Sequence, residues 1–335
     1  MLNSRQTRGW LIVMALVLLA TLLVASQTGA IRLSLISLWQ QDPDSLGRRI
    51  WLDIRLPRVL LAALVGLALA VSGTVMQGLF RNPLADPGLL GISSGAGLAV
   101  AIAIVIPLAL PPAILLWLPM IAAFTGSLLV TALIFKLSQF TRGHLSRLLL
   151  FGVAINAVCG AIVGVLSWVS NDQQLRQLSL WGMGSLAQAQ WPALAVCALL
   201  ILPSAVLTLW FANRLNLLQL GEEDAHYMGV NVQRTQRQLL VLNALLVGTA
   251  VSVSGVIGFI GLVIPHLMRM CFGSDHRRVL PASALSGAIL LLVADTLGRT
   301  LVSPAEMPVG LLTSLIGAPW FFWLIIRRQQ GNDDV

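Results

Sequence analysis

Long apolar stretches dominate the chain, and the polar residues between them are few. Runs of spanning length fall at about 10–30, 58–80, 89–108, 113–136, 145–168, 191–211, 236–256, 258–272, 281–301 and 309–326. A helix needs ~20 residues to cross a bilayer, so the pattern predicts about ten membrane helices. The eighth run is short and is interrupted by Pro265. One polar island stands apart, Leu215 to Asn231, between spans six and seven. Glu222, Glu223, Asp224, His226 and Tyr227 gather there, with Leu217, Leu218, Leu220, Ala225, Met228 and Val230 at mixed spacings. Gly221 and Gly229 offer bends. A short, broken amphipathic helix on a membrane surface fits this pattern, and a solvated loop joining two spans fits it equally.

Composition agrees with the span count. The 335 residues are 57% hydrophobic and 10% charged, with a mean hydropathy of +0.87. That is too little polar surface for a soluble domain of this size. Cys159, Cys197 and Cys271 fall inside apolar stretches, and their odd number and expected burial point to inert thiols. The start, Arg5 and Arg8 followed by an apolar run, resembles a secretory signal. The run is long and lacks a clear small-x-small site, so it is expected to stay as the first membrane helix.

The charge pattern sets the topology. The formal net charge is +8, and Lys136 is the sole lysine. With ten spans, Arg5, Arg8, Arg81, Lys136, Arg142, Arg147, Arg214, Arg234, Arg237, Arg277, Arg278, Arg327 and Arg328 share one side. The positive-inside rule makes that side, and both termini, cytoplasmic. The island is therefore expected in the cytoplasm. Arg48, Arg49, Arg55, Arg58, Arg176 and Arg299 fall on the outer side. Asp42, Asp44 and Asp53 can neutralise some of this cluster locally. The other reading is a docking face for an acidic partner, since arginine pairs bidentately with carboxylates. No basic run interleaved with aromatics is present, which sets nucleic acid aside.

An internal repeat is visible. Val71-Ser72-Gly73 and Val253-Ser254-Gly255 each precede a proline, Pro83 and Pro265, at the same offset. The copies lie in spans two and seven, so they run in opposite senses, as in inverted-repeat transporters. In span five, Gly152, Asn156, Gly160 and Gly164 recur every four residues, extended by Ser167. Such a stripe allows close helix packing, and it also suits the wall of a passage for a bulky solute. The irregular run Asn82 to Pro87 and the glycine-rich run after it predict backbone that lines a cavity or is buried in protein.

Motifs for ATP hydrolysis and for zinc chemistry are missing. There is no Gly-x4-Gly-Lys-Ser/Thr run, no His-Glu-x-x-His and no Cys–His zinc spacing. His144, His226, His266 and His276 are scattered. A gradient-driven carrier would need acids near the midplane. Asp295 is the acidic candidate within a span, and it lies four residues before Arg299, on the same face. Their pairing is expected, because an unpaired charge there costs roughly 2.5–3.5 kcal/mol. Energy for transport must then come from another chain.

A set of short motifs runs through the chain: Arg55-Leu56-Pro57-Arg58, Val71-Ser72-Gly73, Gln77-Gly78, Arg81 to Pro87, Leu90-Gly91 and Gly95-Ala96-Gly97. It continues with Trp181 to Ser185, Leu220-Gly221, Ala225, Gly229, Ser254-Gly255, Gly258 to His266, Arg269, Glu306 to Gly310 and Gly317-Ala318-Pro319. In combination these motifs resemble those of FecCD/BtuC-type ABC importer permeases. The resemblance covers nearly the whole chain, 1–335, as a single permease domain.

It implies an all-helical homodimer of ten-helix subunits in a bacterial inner membrane, in contact with lipid. It also implies a pair of ATPase subunits and a periplasmic solute-binding protein. Residues 215–231 become the segment coupled to the ATPase, through Leu217, Leu220, Gly221, Glu222, Ala225, Met228 and Gly229. Arg55, Arg58 and Arg299 match outer arginines that meet glutamates of the binding protein. Within the family the sequence looks most like the haem permeases, which makes haem the carried solute rather than a resident cofactor. Iron–siderophore and cobalamin permeases share these motifs and stand as alternatives. Asn156, Gly160, Gly164 and Ser167 then line the path, and Arg176 is placed to meet haem propionates. No metal site is expected.

Overall fold

A computed structural model describes residues 4–29, 42, 45–107, 109–139, 145–302 and 305–330. Asp44, Arg142 and His144, invoked above, lie outside them. Every regular element among the described residues is helical. The chain begins with the apolar helices α1 (Ser4–Gln27), α2 (Leu56–Leu79), α3 (Ile92–Val105), α4 (Pro112–Gln139) and α5 (Leu145–Val169). After the amphipathic α6 (Asp172–Gly182) come α7 (Trp191–Trp210) and two short helices, α8 (Ala212–Leu220) and α9 (Glu222–Tyr227). The chain finishes with α10 (Val232–Ser254), α11 (Ile260–Phe272), α12 (His276–Thr300) and α13 (Val309–Gln330).

Among the described residues seven helices are long and apolar enough to cross a membrane, and α3, α11 and the Val309–Phe322 part of α13 are shorter apolar stretches. Together they match the ten expected spans. One of the short ones, α3, departs from its expected run of 89–108. At 1.5 Å per residue α3 is ~21 Å long, less than a ~30 Å hydrocarbon layer. The cause lies before it: Pro83 and Pro87 cannot donate backbone hydrogen bonds, so the chain from Arg81 forms turns and a 3-10 turn, Pro87–Leu90. α11 is short for another reason, since α10 ends at Gly255 and the helix resumes only at Ile260, with Pro265 inside it.

The second half repeats the order of the first. A long helix, an irregular connection, a short helix and a long helix occur as α2, α3, α4 and again as α10, α11, α12. The Val-Ser-Gly copies differ locally, because Gly73 lies within α2 whereas Gly255 caps α10.

Burial separates centre from rim. The best spanning window is 78% buried in Leu46–Leu79 and 72% in Val232–Ser254, against 11% in Arg5–Gln27 and 17% in Arg147–Val169. Helix α2 is the hub, packed on α12, α11, α10 and α7. It runs antiparallel to α12, with Arg58 beside Asp295, Gly66 against Gly287 and Gly78 against His276. The middle contact is backbone to backbone. A Cβ on Gly66 would strike the Gly287 carbonyl, and one on Gly73 would strike Gly261 of α11. Small residues at these crossings let the helices approach as membrane interfaces require.

Helical turns also precede α2. Leu46–Arg49 is α-helical and Ile50–Arg55 is π-helical, continuous with α2. The indole nitrogen of Trp191 donates to the Leu52 carbonyl at 3.0 Å, tying this extension to α7.

Of the thiols, Cys159 and Cys197 are buried as expected, but Cys271 is exposed. It stands in the last turn of α11, where a 13-residue helix leaves its outward face uncovered.

Candidate functional site

The expected functional residues fall into three places, two at opposite ends of α2 and α12 and one along α5. At the first end lies the polar island. It folds as α8 and α9 meeting at Gly221, whose φ of 138° and ψ of 157° break the helix. Leu215, Leu218, Ala225 and Val230 turn inward and are buried. Leu220, Glu223, Asp224, His226, Tyr227, Met228 and Gly229 are exposed, while Leu217, Gly221 and Glu222 are half-buried. The segment is therefore a folded, two-helix surface with an apolar underside. Gly229 has φ 85°, a left-handed conformation that suits glycine.

Two polar ties hold this surface down. The Gln236 amide of α10 donates to the Glu222 carboxylate at 3.1 Å. The Asn216 amide donates to Asp275 Oδ1 at 2.6 Å, and its oxygen accepts from the backbone of His276 at 2.8 Å. Asp275 is the N-cap of α12, accepting from Arg277 N at 3.0 Å. Partial burial pushes its carboxyl up. The bonds from Asn216 and Arg277 and the charges of Arg277 and Arg278 outweigh that and hold it below its ordinary value.

At the other end the arginines gather, and they face inward. Arg58 is 7% exposed and its Nε and Nη2 lie 2.9–3.2 Å from the Asp295 carboxylate. Its Nη1 meets Glu306 at 2.8 Å, and that carboxylate is 47% exposed. Arg299 pairs with Asp295 at 3.1 Å, the helical pair expected from their spacing. Arg299 also donates to the Ala25 and Thr28 carbonyls, and Arg55 to those of Ser26 and Gln27, so both close the end of α1. Burial of Arg55, Arg58 and Arg299 was not legible in the sequence, which placed them on an outer face. Arg49 is exposed at this end, and Arg48 is half-buried.

The small-residue stripe of α5 divides in two. Gly152 is pressed on the backbone of Leu89, and the Asn156 amide donates to the Gly88 carbonyl at 3.1 Å. This half braces the 3-10 turn. Gly160 and Gly164 meet nothing within 4 Å of an added Cβ, and the face around them, with Val165 and Trp168, is exposed. Ser167 bonds within its own helix to Val163 O at 2.8 Å. Arg176 is exposed on α6, a helix started by a capping box of Asn171 and Gln174.

Motifs distant in sequence also meet. Ser185 N donates to Ser254 O at 2.7 Å, and Gly310 N to Gly184 O at 3.3 Å. The Trp181–Ser185, Ser254–Gly258 and Pro308–Gly310 runs thus share one backbone junction. Phe259 adopts φ 69° beside it, and its side chain packs on Gly317 of α13. Strain of this kind at a non-glycine residue persists where surrounding structure enforces it. Among the described residues no group of three His, Cys, Asp or Glu side chains is placed to hold a metal ion.

The FecCD transport family matches residues 12–327. The chain belongs to that family. It is 61% identical over 328 residues to the hemin transport system permease protein HmuU of Yersinia pestis, covering 98% of this chain and 97% of that one. It is 42% identical over 334 residues to the vitamin B12 import system permease protein BtuC of Klebsiella pneumoniae, covering 98% and 96%. A solved structure described as a metal-chelate type ABC transporter in an inward-facing conformation superposes with a TM-score of 0.86 at 33% identity. That match covers 96% of this chain and 99% of the other. For this FecCD chain the seven long and three shorter apolar helices are those of a multi-pass membrane permease.

Proposed function

We propose that this chain is the permease subunit of an ABC importer that carries haem from periplasm to cytoplasm. The observation that carries the solute assignment is the 61% identity with a hemin permease across nearly the full chain, against 42% with vitamin B12 permeases. Two copies of the chain sit side by side in the inner membrane, with both termini cytoplasmic. A pair of ATPase subunits engages them from below and a periplasmic haem-binding protein from above.

Leu217 to Val230 receives the ATPase, with Leu220, Met228 and Gly229 at the contact and Ala225 setting the seat. The exposed face of α5 at Gly160 and Gly164 lines the path, where small residues leave room for a macrocycle. Asn156 stands behind it, and Ser167 and Arg176 lie toward the periplasmic entrance, Arg176 meeting the propionates. Arg55, Arg58 and Arg299 are the proposed contacts for carboxylates of the binding protein. Since these arginines are buried, that contact requires Glu306 to yield its place on Arg58. ATP-driven closure rocks the subunits so that the path opens to one side at a time. No haem is held permanently.

The test is ATP-dependent uptake into proteoliposomes that contain this chain with its ATPase, offering haem, a ferric siderophore and cobalamin separately. Uptake of haem alone is the expected result. Cobalamin uptake instead would support the second reading, favoured by the vitamin B12 permease likeness. Uptake driven by an ion gradient without the ATPase would overturn both.

A further inference from the structure

We propose that Asn216 is the positioning residue through which motion of the coupling segment enters α12. This rests on the reading of residues 215–231 as the coupling segment and adds where its force goes. The Asn216 side chain reaches from α8 to the first turn of α12 and uses both ends of its amide. Nδ2 donates to Asp275 Oδ1 at 2.6 Å, while Oδ1 accepts from His276 N at 2.8 Å.

The partners fix which way the amide points. Reversed, it would set oxygen against a carboxylate and NH2 against a backbone N–H. The His276 ring adds a third contact, Nδ1 to Asn216 Oδ1 at 2.9 Å. An amide oxygen only accepts, so His276 carries its proton on Nδ1.

That ring is fully buried, and its Nε2 sits where a Cβ on Gly78 would be 2.6 Å away. A displacement of α8 therefore reaches the N-cap of α12 and, through the imidazole, the last turns of α2. Neither helix can absorb it locally, because the Gly66–Gly287 crossing and the Asp295 clamp lock them together further along. The other polar tie, Glu222 to Gln236, leads to α10 and has a single bond, and Leu215 of α8 adds an apolar contact beside Gly78 of α2.

The experiment compares Asn216→Leu, Asn216→Asp, and Asn216→Asp combined with Asp275→Asn, in proteoliposomes with the ATPase. Solute moved per ATP hydrolysed is the readout, beside thermal unfolding and co-elution with the ATPase. Asn216→Leu is expected to keep co-elution and hydrolysis while transport per ATP falls about tenfold, within the usual range of coupling free energies. Asn216→Asp alone should do the same, since it sets one carboxylate against another. The exchange variant restores donor and acceptor, because an asparagine at 275 still caps α12 and donates to an aspartate at 216. Transport per ATP should return to within about threefold of normal.

Unchanged transport per ATP in Asn216→Leu, loss of ATPase co-elution, or a stably folded exchange variant without recovery would each overturn the assignment. Ala225→Trp separates the underlying reading. If it leaves uptake normal, the coupling segment itself is misplaced. If it uncouples while Asn216→Leu does not, only the role of Asn216 falls.

Discussion

Arg58 and Asp295, on different helices, share a forked ion pair with contacts of 2.9–3.2 Å, and Arg299 closes on the same carboxylate from 3.1 Å. One buried acid thus answers two buried cations. Asp295→Ala leaves Arg299 without its carboxylate and Arg58 with Glu306 alone, and removing one partner of a buried pair costs about 3–5 kcal/mol. The expected outcome is a large drop in thermal stability in detergent and in folded yield. Asp295→Asn should be milder, since its amide oxygen still accepts. A normal melting temperature for Asp295→Ala would show that water reaches the cluster.

Glu306 occupies the remaining arm of Arg58 from a half-exposed position. If the binding protein presents carboxylates to these arginines, Glu306 competes with them. Glu306→Gln is then expected to tighten docking by about threefold, a modest effect typical of rim charges. Binding measured by interferometry on the detergent-solubilised permease decides it. Weaker docking in this variant would place the contact elsewhere at this end of the bundle.

Two glycines in membrane helices should behave oppositely. At Gly73 any Cβ meets the Gly261 backbone, so Gly73→Leu must push α2 from α11. Overpacking of this kind costs about 1–3 kcal/mol or more. At Gly164 an added Cβ meets nothing, and Gly164→Leu should change the stability of the subunit by less than about 0.5 kcal/mol. If Gly164 lines the path, that variant nonetheless lowers solute uptake. Unfolding curves with uptake assays separate the two effects.

The Asp275 carboxyl is held below its ordinary pKa by Asn216, the Arg277 amide and two arginines, against the opposing effect of burial. A folded-state pKa below the unfolded one means that the stabilisation is complete above the unfolded carboxylate value. It is lost as pH falls through the depressed folded value. Stability measured by urea or heat should decline in that acid window, and less steeply in Asp275→Asn. Equal acid slopes for the two proteins would remove Asp275 from the account.

Much of this architecture is legible in the chain because membrane helices write their length in apolar runs. Among the described residues the ten runs matched ten apolar helices, and α3 falls short of its run because Pro83 and Pro87 break the chain before it. The Asp295–Arg299 pair is legible too, being four residues apart on one helix. What is hidden is register between distant helices. Nothing in the spacing sets Arg58 beside Asp295, or Asn216 beside Asp275, since both depend on how α2, α8 and α12 pack. The same blindness left the arginines facing outward in the sequence and the α5 stripe undivided. Only packing shows that Gly152 and Asn156 brace a turn while Gly160 and Gly164 stay open.

The distance along the chain between Arg58 and its partners bears on how the protein is made. Asp295 lies 237 residues later and Glu306 lies 248 later. A ribosome therefore delivers the central helix to the membrane long before its ion pair can close. Until then the guanidinium must be kept wet near the headgroups, which its place in the first turn of the helix permits. A nascent chain that stalls before α12 carries an unanswered charge at its core, a mark by which an incomplete permease differs chemically from a finished one.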